Sequence, residues 1–199
     1  MSERHLDAVS PRQERQGTAL FLRRWLANPL QMGSIIPSSP ALGRRVARLV
    51  ERHEDEFVLE LGAGTGAITR ALLASGVPAE RLVVVEIVPE MAAHLAQALP
   101  GVRVLQADAF DLARSLPDWM HGRIGTAICG IPLVLLPRER QARFVQQVEA
   151  VAPGRGFLLY TYCITSPLPY RALDLAPERK AWTPLNFPPA SVWRYRPRG

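Results

Sequence analysis

The 199-residue sequence predicts an α/β fold, in which a mostly parallel seven-stranded sheet is flanked by helices and preceded by a helical extension. Two observations support this prediction. Apolar strand-like runs alternate with helical segments through the middle of the chain, an order that favours parallel strands joined by right-handed crossovers. A glycine-rich stretch lies directly between the first such run and the helix that follows it. We expect an amphipathic helical extension and lid at 1–55 and one domain at 56–199.

The composition is that of a folded protein with a basic surface. With 48% hydrophobic and 21% charged residues, the sequence excludes wholesale disorder. The net charge of +6 favours an anionic partner, either nucleic acid or an anionic lipid surface. The sequence has no apolar run as long as a membrane span and no signal-peptide core, so we expect a cytoplasmic location. The two cysteines, Cys129 and Cys163, have neither a metal-binding nor a disulfide spacing, and no metal is expected.

Local patterns predict the elements of the sheet in order. Apolar runs predict parallel strands at 57–61, 81–86, 102–107, 125–131 and 156–162. Helical patterns lie between them at about 66–75, 89–99 and 138–152. After Tyr162 the chain is Pro-rich and is expected to be irregular. Two short runs at 181–187 and 190–196 then predict an antiparallel hairpin at the sheet edge.

Two helices are predicted ahead of the first strand. The first runs from about Gln13 to Ala27. The second has Ser39 as its N-cap and Pro40 at its first position, and it is expected to continue to about His53.

The strongest functional signal is the loop from Glu60 to Gly66, which follows a strand and opens a helix. Glycines there permit a tight turn and let a ligand approach the backbone. Dinucleotide-binding proteins use similar loops, so the loop alone is weak evidence. Two further acids strengthen it. Glu86 ends the second strand, where a carboxylate can bind ribose hydroxyls, and Asp108 ends the third, where it can accept from an adenine amino group.

Glu60, Glu86 and Asp108 at three successive strand ends resemble the S-adenosylmethionine site of the Rossmann-like class I methyltransferases. The resemblance implies that fold and that cofactor, with Glu60 near the methionine amino group, Ile87 on the adenine face and Ala109 beside Asp108 at the adenine edge. The remaining cofactor-site residues that it implies are Gly62, Ala63, Gly64, Gly66 and Gly130, with Ser38 or Ser39 as contacts to the methionine carboxylate. Ser39 as a helix cap alone is an equal alternative. NAD binding competes, but the sequence shows neither a hydride-handling residue set nor a second substrate domain.

The segment after the fourth strand reads Cys129-Gly130-Ile131-Pro132-Leu133. The related rRNA adenine dimethylases carry Asn-Leu-Pro-Tyr or a close variant there, so that Gly130 replaces the asparagine and Leu133 the aromatic residue. A flat base would lose a stacking partner that contributes about 1–3 kcal/mol. This difference counts against a nucleobase substrate. Two alternatives stay open, namely an RNA adenine methyltransferase and a non-catalytic module that binds lipid or RNA.

Five stretches resemble the bacterial phospholipid N-methyltransferases of the rhizobial and Agrobacterium type. These stretches are FLRRWLANPLQMGSIIPSS, VLELGAGTGAITRALL, GVPAERLVVVEIVPEM, ICGIPLVLLP and LNFPPASVWRYRP. The resemblance implies stepwise methylation of phosphatidylethanolamine toward phosphatidylcholine. It also implies peripheral association with the anionic inner face of the cytoplasmic membrane, and neither a nucleic acid nor a protein partner is expected.

Substrate contacts follow from the chemistry of amine methylation. The carbonyls of Gly130 and Ile131 are candidates to orient the amine, because they lie in the loop that meets the methyl group in related enzymes. Tyr162 and Tyr170 are candidates for cation–π contact with the methylated nitrogen, whereas Tyr160 is more easily explained by packing. The candidate cations for the lipid phosphate are Arg171, Arg179 and Lys180.

The first predicted helix has the pattern of an interfacial helix. One face carries Phe21, Leu22, Trp25 and Leu26, and the other carries Arg23 and Arg24. We expect this helix to contact the membrane, and an ordinary surface helix that packs on the sheet domain is the alternative.

Overall fold

The structure, a computed structural model, describes residues 39–161, 165–183 and 189–198. Within these ranges the strands are β1 (Phe57–Leu61), β2 (Leu82–Glu86), β3 (Arg103–Gln106), β4 (Ile124–Cys129), β5 (Phe157–Thr161), β6 (Leu175–Thr183) and β7 (Ala190–Pro197). The helices are α1 (Pro40–Ala47), α2 (Ala67–Ala74), α3 (Pro89–Ala98), α4 (Leu112–Ser115) and α5 (Arg138–Val151). Short 3₁₀ turns are formed by Ala79–Arg81, Ala109–Asp111, Asp118–Met120 and Leu133–Leu135.

All seven strands form one sheet in the order β3-β2-β1-β4-β5-β7-β6. Strands β1 to β5 pair in parallel, and β7 pairs antiparallel with both β5 and β6. This arrangement confirms the predicted α/β fold and its antiparallel edge. The strand order reverses between β1 and β4, and ligands of open α/β sheets bind in the crevice at such a reversal.

The core lies on both faces of the sheet. One face buries the β1 residues Leu59 and Leu61 against α5, whose Phe144 and Val148 are almost inaccessible to solvent. The other face packs Val58, Ile128 and Leu158 against α1 and α2 through Leu42, Val46, Ile68 and Leu72. Helix α1 is therefore part of the same core as the sheet. The boundary predicted at residue 55 stays a prediction.

Helix α1 is shorter than the sequence predicts, since it ends at Ala47 rather than near His53. The backbone beyond it finds partners in the sheet instead of in another helical turn. The Glu51 N–H donates to Thr126 Oγ1 over 2.9 Å, and that hydroxyl donates to the Glu51 carbonyl over 2.7 Å. Arg194 Nη2 donates to the Leu49 carbonyl over 2.7 Å. Tertiary hydrogen bonds thus replace the helical ones.

Strand β6 begins at Leu175, whereas the strand predicted from the sequence spans 181–187 and follows a segment predicted to be irregular. Pro177 is the source of the error, because a proline inside a strand argues against a central position. Here β6 is the last strand of the sheet, where a missing N–H is tolerated. The pairing with β7 shifts register between Arg179 and Ala181.

The predicted helix from Gln13 to Ala27 lies outside the described residues. Among the helices of the described ranges, none is long and apolar enough to cross a membrane.

The contact between α1 and α2 depends on a missing side chain at Gly43. A Cβ atom at this buried position would lie 2.7 Å from Ala71 Cβ, closer than real carbon atoms approach. We expect Gly43→Val to lower the free energy of unfolding by about 1–3 kcal/mol, because added methyl groups in a packed interface force the helices apart. Urea denaturation measures this change. The matched variant Arg45→Val places the same residue at an exposed position of α1, and equal losses in both variants would contradict the proposed packing constraint.

Candidate functional site

A pocket opens at the carboxyl ends of β1, β2, β3 and β4. Eight of the residues predicted to hold a cofactor or substrate line it, namely Gly62, Gly64, Glu86, Ile87, Asp108, Ala109, Gly130 and Ile131. Three further residues that were not predicted from the sequence complete the described lining, namely Val85, Ala107 and Phe110. The fold thus brings the ends of four strands together around one concave surface.

The glycine loop and the segment after β4 touch through their backbones. Gly62 adopts a left-handed conformation with a φ of 75°, and a Cβ atom there would lie 2.8 Å from Ile131 Cγ1. A Cβ atom on Gly130 would lie 2.4 Å from the Gly62 carbonyl oxygen. Both positions therefore require glycine, and any ligand in this pocket meets bare backbone on its floor.

Glu86 fixes the loop to the end of β2. Its carboxylate accepts from the Gly64 N–H over 3.0 Å and from the Val88 N–H over 3.0 Å. Glu86 is 3% exposed and lines the pocket. Each carboxylate oxygen has a second lone pair, so Glu86 can still accept hydrogen bonds from a ligand hydroxyl.

Glu60 lies below the loop and is fully buried on β1. One carboxylate oxygen accepts from the Thr69 hydroxyl over 2.7 Å, whereas Oε1 has no hydrogen-bond partner in the structure. Burial raises the pKa of Glu60 from 4.5 to about 7, and the nearby Glu86 carboxylate adds to this effect. Glu60 does not line the pocket itself.

Asp108 begins the turn that forms the third wall. Its Oδ1 accepts from the Phe110 N–H over 2.9 Å, which caps the 3₁₀ turn Ala109–Asp111. Arg143 Nε donates to the Phe110 carbonyl over 2.9 Å, and the Arg140 guanidinium lies 4.2 Å from the Phe110 ring centroid. Helix α5 thereby holds this wall. Phe110 is not among the site residues predicted from the sequence, although its position two residues after a strand-end acid could have indicated a wall of the site.

The carbonyl of Ile131 takes part in two contacts within the protein. It accepts from the Leu133 N–H over 2.8 Å and from the Cys129 thiol over 3.6 Å. Its role in orienting the amine stays a prediction, and Ile131 contributes to the pocket wall. Burial raises the pKa of the Cys129 thiol to about 12, so this cysteine is not a nucleophile.

Tyr160 approaches the same place from β5. Its hydroxyl oxygen lies 2.5 Å from the position that a Cβ atom on Gly130 would occupy. The sequence favours packing for this residue, and its ring does pack beside the α1–α2 core. The position of the hydroxyl, however, follows only from the pairing of β4 with β5.

Three other predicted cofactor residues do not line the pocket. Ala63 is buried against Leu95 and Leu99, and Gly66 needs its missing side chain because a Cβ atom would lie 2.6 Å from Leu95 Cδ2. Ser39 caps α1, and its hydroxyl accepts from the Leu42 N–H over 3.2 Å. This hydrogen bond is the helix-cap alternative of the sequence analysis.

The structure does not bring the predicted phosphate and cation–π residues into the pocket. Tyr170 lies near the beginning of β6, where its carbonyl accepts from the Leu175 N–H and its ring faces Arg198. Strand β6 runs in the same direction as β5. The beginning of β6 therefore lies at the amino ends of the parallel strands, whereas the pocket lies at their carboxyl ends. Arg171 is exposed beside Tyr170, and neither residue lines the pocket, so their substrate roles stay predictions.

The remaining candidate cations lie on the edge strand. Arg179 contacts the Trp193 ring, and Lys180 forms an ion pair with Glu178 at 2.5 Å. Neither lines the pocket. The other predicted contacts lie outside the described residues, namely Ser38 and Tyr162 for the site and Phe21, Arg23, Arg24, Trp25 and Leu26 for the membrane.

Comparison with known proteins identifies the family. The family of the "Methyltransferase domain" matches residues 58–156. A curated relative, the ornithine lipid N-methyltransferase of Singulisphaera acidiphila, is 31% identical over 140 residues, which cover 69% of this chain and 73% of that protein.

Solved structures share the fold. The Burkholderia thailandensis 1,6-didemethyltoxoflavin-N1-methyltransferase, solved with 1,6-didemethyltoxoflavin and S-adenosylhomocysteine, has a TM-score of 0.63 and 16% identity, covering 96% of this chain and 92% of its own. The N-methyltransferase NodS of Bradyrhizobium japonicum, in complex with S-adenosylhomocysteine, has a TM-score of 0.62 and 16% identity, covering 92% of this chain and 99% of its own. At these identities the likeness concerns the fold.

The buried Glu60 makes the stability of the ligand-free protein depend on pH. Its pKa is 4.5 when exposed and about 7 in the folded chain, so the folded state binds the proton more tightly between these values. We expect the free energy of unfolding to fall by roughly 3 kcal/mol as the pH rises from about 4.5 to about 7, and to stay level above that.

Urea denaturation across this pH range measures the effect. Glu60→Gln should remove this part of the pH dependence, whereas Glu54→Gln removes an exposed carboxylate and should keep it. Parallel profiles for the wild type and Glu60→Gln would show that Glu60 does not carry the effect.

Proposed function

The chain belongs to the class I S-adenosylmethionine-dependent methyltransferases, and from this premise we propose that it methylates the amino nitrogen of a membrane lipid. The observation that carries the proposal is an exposed apolar turn next to the pocket. Two residues after Ile131, the turn Leu133–Leu135 presents Val134, which is 36% exposed, and Leu135, which is 45% exposed. Exposed large apolar side chains in the segment that follows the pocket lining favour a substrate with an apolar part of its own.

The residues of the pocket fit the cofactor. Glu86 offers a fixed carboxylate to ribose hydroxyls, and Asp108 and Ala109 form the wall where the adenine edge is expected. The buried Glu60 has an oxygen without a partner, which suits a cationic amino group near the loop. When bound, S-adenosylmethionine supplies a sulfonium methyl group to which an amine lone pair bonds, while the carbon–sulfur electron pair returns to sulfur.

The protein itself positions the reactants and excludes water from them, and it does not supply an acid or a base. The acceptor must be a neutral amine, and its ammonium form loses a proton to solvent before reaction. The glycine floor lets the amine approach closely, and the buried Ile131 and Leu133 exclude water from one side. Holding two reactants in line in such a site accounts for a large part of the rate in group transfer.

The lipid is proposed to be phosphatidylethanolamine, as the sequence resemblance implies. The relative that methylates ornithine lipid favours a second candidate, because both lipids present a primary amine at the membrane surface. An RNA adenine substrate is disfavoured. Leu133 takes the place of the aromatic residue that would stack on a base, and it is fully buried in the core.

A basic groove supports contact with an anionic surface. Arg44 of α1, Arg48 directly after this helix and Arg70 of α2 line a groove between the two helices, and none of the described residues that line it is acidic. Arg44 and Arg48 lie one helical turn apart, and like charges at this spacing destabilise a helix by about 0.2–0.5 kcal/mol. A partner with negative charge would relieve this repulsion. These arginines replace Arg171, Arg179 and Lys180 as our candidates for lipid phosphates.

Methyl transfer from labelled S-adenosylmethionine to vesicles tests the proposal. We expect label in phosphatidylethanolamine or ornithine lipid, presented in separate vesicles, and none in phosphatidylglycerol vesicles, which lack an amine. Glu86→Ala should weaken cofactor binding about 10-fold to 100-fold, since a hydrogen bond to a charged group contributes about 1.5–3 kcal/mol.

Calorimetry with S-adenosylhomocysteine measures that affinity, and Glu80→Ala, which removes an exposed acid outside the pocket, serves as the matched control. Label in added RNA but in neither amine lipid would overturn the lipid proposal. An unchanged affinity in Glu86→Ala would remove Glu86 from the cofactor site.

The apolar turn should govern access to lipid and not to the cofactor. We expect Leu135→Asp to raise the apparent KM for lipid about 10-fold, because burying a leucine side chain in an apolar phase contributes about 1.5–3 kcal/mol. Vesicle co-sedimentation and S-adenosylhomocysteine calorimetry separate the two effects. Gln146→Asp adds the same charge at an exposed position of α5 and should change neither. Equal vesicle binding by the wild type and Leu135→Asp would exclude the turn from the lipid contact.

A further inference from the structure

Two tryptophans among the described residues are equally exposed, but they lie at opposite ends of the sheet. Trp119 is 50% exposed and Trp182 is 49% exposed. Trp119 packs edge-on against Phe57, the first residue of β1, with the ring centroids 5.6 Å apart. Trp119 therefore lies at the amino ends of the parallel strands, away from the pocket. Trp182 is the last residue but one of β6, at the other end.

Strand register places Trp182 at the level of the pocket. Trp182 pairs with Ser191 of β7, and Ser191 pairs with Thr161 of β5. Two residues beyond the last pair between β4 and β5, Thr161 is level with Ile131, which lines the pocket. Trp182 therefore lies at the carboxyl edge of the sheet, three strand spacings or about 14 Å from β4.

Trp182 and the apolar turn Leu133–Leu135 belong to the same face of the sheet. The neighbour of Trp182, Ala181, packs on the core beneath α1 and α2, so Trp182 points to the face that α5 covers. Leu133 is buried in the core on that face, and the turn leads into α5. Of the four large hydrophobic residues that are exposed in the described ranges, three thus lie at the carboxyl edge, and the fourth is Trp119.

The edge strand β6 is unsuited to pairing with a second copy of the chain. Pro177 lacks an N–H, the middle of the strand carries the ion pair of Glu178 and Lys180, and the register shifts between Arg179 and Ala181. Prolines, charges and bulges of this kind protect an edge from the addition of another strand. The exposed ring therefore needs a partner that does not extend the sheet.

The interface of a bilayer is such a partner. A tryptophan ring is apolar and its N–H is a hydrogen-bond donor, so tryptophan is favoured where hydrocarbon meets water. The charge of the protein suits the same partner. The chain has a net charge of +6, and three arginines line the groove between α1 and α2, both of which complement anionic headgroups.

We propose that Trp182 is a second membrane anchor, so that the carboxyl edge of the sheet faces the bilayer. One contact at the turn Leu133–Leu135 leaves the protein able to rotate on the surface, whereas two contacts about 14 Å apart fix which edge of the sheet meets the lipid. The pocket opens at this edge and is thereby turned toward the headgroups. This inference rests on the proposed function and deepens it, because it assigns the orientation in which the enzyme meets its substrate.

Vesicle binding by Trp182→Ala and Trp119→Ala tests the proposal. The vesicles contain phosphatidylglycerol and phosphatidylcholine, neither of which has an amine that accepts a methyl group. We expect Trp182→Ala to weaken vesicle binding about 5-fold to 10-fold in co-sedimentation, because a half-exposed ring no longer enters the interface. Trp119→Ala removes an equally exposed ring from the opposite end of the sheet and should bind within roughly two-fold of wild type. Calorimetry with S-adenosylhomocysteine shows that both variants are folded.

Fluorescence quenching gives a second measurement that keeps an aromatic ring at each position. With brominated acyl chains in the phosphatidylcholine, we expect Trp182→Phe to lose more of the quenched signal than Trp119→Phe. Equal vesicle binding by the wild type and Trp182→Ala, equal losses in the two alanine variants, or equal quenching in the two phenylalanine variants would overturn the proposal. A dimer that Trp182→Ala dissociates in the absence of vesicles would assign the ring to a second copy of the chain and would also overturn it.

The outcome does not depend on which lipid is methylated, because these vesicles contain no acceptor. A failed methyl-transfer assay would overturn the proposed function alone. Methyl transfer to an amine lipid together with unchanged vesicle binding by Trp182→Ala would overturn the anchor alone.

Discussion

The backbone contact between Gly62 and Gly130 is the constraint on which the site depends. These residues follow the neighbouring strands β1 and β4, and no side chain fits between them. Their contact forms the pocket floor, places the glycine loop against Ile131, and leaves the space that the Tyr160 hydroxyl fills. A larger residue at either position would separate the two strand ends and open the pocket from below. The shape of the pocket is therefore tied to a packing requirement of the sheet.

Two buried acids near this contact differ in how well their carboxylates are hydrogen-bonded. Glu86 is stabilised by two backbone N–H groups, which fix its carboxylate and the loop together. Glu60 is buried with one oxygen unpartnered, and burial raises its pKa to about 7. A buried polar atom without a partner is costly, and the fold retains it directly beneath the loop. We interpret Glu60 as destabilising the ligand-free protein in favour of a bound cation.

The surface around the pocket gives the substrate proposal its physical content. Val134 and Leu135 are exposed in the segment that continues from the pocket floor, and three arginines line the groove between α1 and α2. Apolar side chains and arginines are the two kinds of contact that a lipid headgroup region complements, because it contains both hydrocarbon and phosphate. RNA would complement the charge but not the apolar turn.

Periodicity and short motifs in the sequence were sufficient for the sheet and for most of the pocket. The alternation of strands and helices predicts the parallel sheet, and the spacing of Gly62, Glu86 and Asp108 predicts three strand ends around one crevice, because parallel strands end at the same edge. Eight predicted site residues do line the pocket. The same reasoning failed for the start of β6, since Pro177 is compatible with a strand only at a sheet edge, and edge position is not encoded locally.

By itself, the sequence determined the order of the elements, the glycine loop and the acids at the strand ends, because these depend on residues close together in the chain. Only the tertiary structure decided which side chains lie beside the pocket. It gave the Ile131 carbonyl a hydrogen bond from the Leu133 N–H, placed Tyr170 and Arg171 near the beginning of β6, and brought Tyr160 beside Gly130. These outcomes depend on strand register and on hydrogen bonds between distant segments, which no local pattern specifies.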